Sequence, residues 1–154
     1  DVVTLTATDA DGDGGGIVFS PARATLRPGA TYNATVRLTD AINNTVVSEE
    51  IAEEAEDHLF RYSFTPAAAG SVTVTDLESQ YGTNAVGADL PVGLAFRVTT
   101  AASATGNGTL NATLFHFEDP ANKTSATSTS DERDIDLDFP VTFSGSTFAS
   151  GASN

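Results

Sequence analysis

Hydrophobic and polar positions alternate with a period of two along much of the chain. In YNATVRL, Tyr32, Ala34, Val36 and Leu38 alternate with Asn33, Thr35 and Arg37. In DIDLDFPVTF, Ile135, Leu137, Phe139, Val141 and Phe143 fall on one side, and Asp134, Asp136 and Asp138 on the other. That period belongs to half-buried β-strands, whose successive side chains point to opposite faces. It predicts strands over 2–8, 17–19, 23–26, 32–39, 44–48, 58–65, 71–76, 92–99, 109–117 and 134–143. DGDGGG, RPGA, PAAAG, YGTNAVGAD, TGNG and EDPANK supply the turns between them. Many short strands so spaced predict an all-β fold, a jelly-roll or immunoglobulin-like two-sheet sandwich. Pro140 has no N–H for a ladder, so its strand is expected at an edge or bulged there.

SEEIAEEAEDHLF departs from this period. Ile51, Ala55 and Leu59 recur at i, i+4 and i+8, with Ser48 as N-cap and Glu49 and Glu50 at the positive end of a helix dipole. One short helix near 49–57 is expected, with its glutamates on a solvated face. The divisions that follow are a strand at 1–8, an acidic Gly-rich hinge at 9–16, a sandwich at 17–143 and a tail at 144–154. TSATSTSDER reads as a long polar loop.

Composition narrows the function. A length of 154 residues suits one domain with a core of its own. The formal net charge is −14 with only 7 Lys and Arg, too few for a phosphate-neutralising stripe, so nucleic acid is excluded as a partner. There is no cysteine, hence no disulfide. No apolar run is long enough to span a membrane. The chain starts at Asp1 and contains no methionine, the expectation for a mature, exported product.

Sequons for N-glycosylation occur at Asn33, Asn43, Asn107, Asn111 and Asn122. Asn33 and Asn111 lie opposite the apolar residues of their strands, and the other three fall in turn-like stretches. All five read as exposed, which favours an extracellular or cell-surface protein carrying N-linked glycans.

DADGDGGG places Asp9, Asp11 and Asp13 at the spacing of the first half of a calcium loop, with Gly14 for the sharp turn. The twelfth position is Ser20 rather than glutamate and strands flank the motif, so an EF-hand is excluded. Calcium bound by these three carboxylates plus ligands from elsewhere is the expectation. Catalytic signatures are absent: there is no G-x-S-x-G, no P-loop lysine and no aromatic-lined carboxylate pair. A histidine-based zinc or copper site would need His58 and His116 to meet. His116 shares a strand face with Leu110, Ala112 and Leu114, so it reads as a structural histidine. No enzyme is expected.

Two runs resemble known families. FRYSFTPAAAGSVTVTD (Phe60 to Asp76) looks like a run common in immunoglobulin-like modules of surface proteins. ATLRPGATYNATVRLTD (Ala24 to Asp40) is similar to the L-x-P-G-D-x-x-x-x-x-V-x-L-x-N run of the TasA and camelysin-like family, whose plan archaeal bundling pilins share. Ala30 here follows Pro28-Gly29 where that run has Asp, and Asp40 stands for its Asn. The second resemblance implies a secreted jelly-roll subunit that polymerises into fibres. Identical subunits would join head to tail by donor-strand complementation. Residues 2–8 suit the donor role, with Val3, Leu5 and Ala7 on one face and a flexible Asp-Gly hinge behind them. The alternative is a monomeric adhesion or surface-layer module made rigid by calcium.

Overall fold

The computed structural model describes residues 2–10, 12, 16–82 and 87–145. Among the described residues it is all-β, with three sheets and a single α-helix. The strands are β1 (Thr6–Thr8), β2 (Val18–Ser20), β3 (Ala24–Leu26), β4 (Thr31–Thr35), β5 (His58–Thr65), β6 (Gly70–Val74), β7 (Ala95–Thr100), β8 (Gly106–His116) and β9 (Arg133–Phe143). One sheet has the order β3-β9-β8-β5, a second β4-β7-β6, and β1 pairs with β2 alone. All ladders are antiparallel except β3 with β9, which is parallel.

The alternation seen in the sequence decides what these strands bury. On the inner face Leu110, Ala112 and Leu114 of β8 stand opposite Phe64, Tyr62 and Phe60 of β5 on one side. On the other side they meet Phe139, Leu137 and Ile135 of β9. Phe96 and Val98 of the second sheet are buried against the same core, with Tyr62 and Phe96 stacked at 4.0 Å between centroids. Burial raises the Tyr62 pKa, helped by the charge of Asp76, and its hydroxyl donates to the Gly93 carbonyl at 2.6 Å. Gly93 has φ +98°, and a Cβ there would come within 2.5 Å of the Phe60 Cβ, so the close packing of this loop needs glycine.

Pro140 fits its expectation, because β3 pairs with β9 only from Val141 onward. Two other expectations are corrected. Residues 44–48 are not a strand: a bridge between Asp40 and Thr45 closes a turn, and the helix α1 (Val47–Glu53) begins straight after it. Ser48 is therefore inside the helix, and the cap residue, Val46, makes no side-chain bond. Asp40 holds that turn, accepting from the backbone N–H groups of Ile42 and Asn43. These bonds commit the backbone to a turn that local alternation does not register.

The outer face of the large sheet carries a smaller core of Leu59, Phe115 and Phe117. The polar segment after it returns over this region, where the Arg61 guanidinium donates to the Thr127 carbonyl. Lys123, in the same segment, is fully buried. Its ammonium lies 2.7 Å from Oε1 of Glu78, also fully buried, and donates to the Ala55 carbonyl at 2.7 Å. Burial lowers the Lys123 pKa and the Glu78 charge opposes that shift. Removing one partner of such a pair strands a charge in the interior. Glu78→Ala should therefore lower the unfolding free energy by about 3–5 kcal/mol in denaturant melts. Replacing both residues with apolar ones of similar size should recover most of that loss. A single Glu78→Ala variant as stable as the parent would show the pair contributes nothing.

Candidate functional site

Two places combine chemistry with geometry. The first is the seat of the N-terminal segment. Thr6, Ala7 and Thr8 pair with Ser20, Phe19 and Val18 of the same chain. Val3, Leu5 and Ala7 are half-buried, while Val2, Thr4, Thr6 and Thr8 are exposed, as the alternation predicts. Val3 and Leu5 pack against the core group that includes Leu26, Phe64, Val141 and Phe143. Phe19 meets Phe139 edge-on at 5.5 Å, so the β1-β2 hairpin contacts β9 through side chains rather than through a ladder. The donor expectation placed residues 2–8 on a neighbouring subunit. Within the chain they lie on their own domain, because the short return through residues 9–17 makes local closure the least costly pairing.

Gly12 and Gly16 in that return have φ of +75° and +68°, and the Gly12 N–H donates to Asp9 Oδ1 at 3.0 Å. Asp11 and Asp13 lie outside the described residues, as does the tail from 146 onward.

The second place is at the far end of the large sheet. His58 on β5 and His116 on β8 are direct cross-strand partners. Their rings stack at 4.8 Å between centroids, 10° from parallel. His58 is buried, and its Nδ1 is 3.0 Å from the Glu54 carbonyl, which can only accept, so Nδ1 carries a ring hydrogen. That Nε2 is 3.8 Å from Asp134 Oδ2. His116 Nδ1 is 3.6 Å from Glu132 Oε1. One donor atom each from His58, His116 and Asp134 lie within 4.8 Å of one another.

The sequence reading missed this meeting on two counts. Cross-strand register, which brings the histidines together, is not legible from either strand alone. Asp134 was expected on the outer face with Asp136 and Asp138. The ladder shifts there: Leu114 pairs with Ile135, but Phe115 pairs with Arg133, so Asp134 is the extra residue of a β-bulge. A bulge re-aims the side chain it contains, and this one brings Asp134 to the histidines. His58, Asp134, Glu50 and Glu54 also line a cleft of about 340 Å³ beside α1.

Asp76 is another residue that alternation did not flag. It is buried and accepts from the Gly93 N–H, the Leu94 N–H and the Tyr81 hydroxyl, an arrangement that fixes the 91–94 loop.

Of the sequon residues, Asn33, Asn43, Asn107 and Asn122 are exposed. Asn111 is half-buried, and its Nδ2 donates to Asp136 Oδ1 at 2.9 Å and Asp138 Oδ1 at 3.2 Å. Among the described residues, no helix is long and apolar enough to cross a membrane.

No protein-family model matches the chain, and no curated protein or solved structure matches it either.

The Asn111 amide, with Thr113 and Arg133 behind it, holds the Asp136 pKa below the usual carboxylate value. A carboxylate depressed in the fold contributes stability above its ordinary pKa, and that contribution is lost as pH falls. In Asn111→Ala, Asp136 should titrate at higher pH by carboxyl NMR, and the acid-induced loss of stability should involve it less. An unchanged Asp136 titration would show that Asn111 does not hold it.

Proposed function

We propose that the protein is a structural, non-enzymatic subunit of an extracellular filament, whose copies join head to tail by exchanging the N-terminal strand. One observation carries this reading. Residues 2–8 fill a seat on the sandwich, yet the segment's ladder is confined to the three pairs with β2, outside both larger sheets. Every contact that holds the segment is available on an identical chain. Exchange therefore costs little beyond opening the return loop, and heterologous exchange gives open chains rather than closed rings. Fully burying side chains like Val3 and Leu5 is worth roughly 1.5–3 kcal/mol each. Both are half-buried here, so the seat is worth filling but the segment is not locked into it.

The second reading is a self-complete surface module that stays monomeric. The closure of Thr6–Thr8 onto Val18–Ser20 within one chain favours it. Calcium at Asp9, Asp11 and Asp13 would then make the hairpin rigid.

The chain has no cysteine, which permits a direct test. Thr6 and Ser20 are exposed cross-strand partners. Thr6→Cys combined with Ser20→Cys, oxidised after concentration, should give a ladder of covalent multimers on a non-reducing gel if strands exchange. A single monomer band, together with fibres that form equally well from a chain lacking residues 1–8, would overturn strand exchange, and a single monomer band with no fibres at all would overturn the filament reading.

Glycans on exposed sequons would suit such a surface. Protein from its native source should weigh several sugars more than the 15.8 kDa of the bare chain, with Asn33, Asn43, Asn107 and Asn122 occupied in preference to Asn111. A native mass equal to that of the bare chain would remove the glycan assignment.

A further inference from the structure

We propose that His58, His116 and Asp134 form a binding site for one divalent transition ion of the zinc–copper class. The site goes beyond the filament reading and does not depend on it. Three neighbouring strands, β5, β8 and β9, each deliver one ligand at the same end of the sheet. Regular pairing would set Asp134 beside Phe115 on the opposite face, and the bulge at Asp134 reverses that. Bulges recur where a strand must present a side chain to a site. The Glu54 carbonyl takes the Nδ1 hydrogen of His58, the support that an imidazole needs to present Nε2 to a metal.

The donor set decides the ion. Two imidazole nitrogens and one carboxylate oxygen suit zinc, copper or nickel, whereas calcium and magnesium take oxygen ligands. This site is thus chemically distinct from any calcium held by the aspartates of residues 9–13. Ligands about 2.0–2.2 Å from a tetrahedral ion are roughly 3.4 Å apart. His58 Nε2 and Asp134 Oδ2, at 3.8 Å, are already near that spacing. The remaining adjustment falls on His116, half-buried, and Asp134, exposed, while His58 stays fixed in the interior. The cleft lined by His58 and Asp134 leaves room for a water as fourth ligand.

A bound ion would clip three strands together where the β8–β9 register shifts.

The test uses the whole chain and zinc alone, titrated by calorimetry in excess calcium so that the many surface carboxylates are occupied. One equivalent of zinc should bind, and the ring resonances of both histidines should shift together in NMR spectra. Asp134→Asn and His116→Gln, at sites with solvent access, should each keep the fold. Each should weaken zinc binding by more than the roughly 10–100-fold that loss of a merely supporting partner costs. His58→Gln should do the same but risks a buried defect, so the first two variants carry the decision. Zinc binding of unchanged strength in both, or no saturable equivalent in the parent chain, would overturn the proposal.

Discussion

The antiparallel pairing of β8 with both β5 and β9 is the constraint on which the rest of the molecule depends. β8 is one of the two interior strands of the large sheet, and it carries the sheet's two longest ladders. Side chains alternate with a period of two, so a slip of one residue in either ladder would turn every inward residue out. The registers of Leu110 with Phe64 and Phe139, and of Leu114 with Phe60 and Ile135, fix the core. They also fix everything attached to it. The His58–His116 pair is the next rung of the same ladder on that face, and Val141 and Phe143 at the other end form part of the surface on which Val3 and Leu5 rest.

Much of this fold was legible in the sequence because burial on one face leaves a simple trace. The inward and outward sets of β4 and of most of β9, the half-buried alternation of residues 3, 5 and 7, and the edge position of Pro140 all follow from period and from the missing proline N–H. What was not legible is what needs two distant segments at once. Asp40 turns residues 40–45 back through side-chain bonds to its own neighbours, so the apparent strand at 44–48 dissolves. Lys123 lies in a polar stretch and Glu78 opens a short 3-10 turn, and nothing local shows that each neutralises the other inside the protein. The candidate metal centre failed to register for the same reason. His116 carried the signal of a strand-face residue, correctly, but its partner across the ladder and the bulge that turns Asp134 inward belong to pairing rather than to either strand.

The many acidic residues take on different roles once placed. Asp134, Asp136 and Asp138 lie along the part of β9 that β3 does not pair with, where unpaired backbone groups would otherwise invite another strand. Charges on such an edge discourage indiscriminate pairing. Asp76 and Glu78 are interior residues whose charges are met by backbone N–H groups and by Lys123. Acidity that looks uniform in the composition is thus divided between solubility, edge protection and internal structure, and a net charge of −14 does not by itself imply a cation surface.

The two proposed devices sit at opposite ends of the same sheet, and their physical demands differ. A strand that is to be exchanged must be held by contacts another copy can replace, and the seat of residues 2–8 meets that demand with side-chain packing and three ladder pairs. A metal clip must be held by groups that do not leave, and His58 meets that demand by being buried and tied to a backbone carbonyl. His116 lies six residues along a continuous strand from Leu110, in the core group that the N-terminal segment touches, a span of about 20 Å. Sites that far apart, with no shared partner, perturb stability almost independently. The ladder through β8 therefore does not need to transmit anything between them: it is enough that it holds its register, with an end that can be refastened and an end that stays closed.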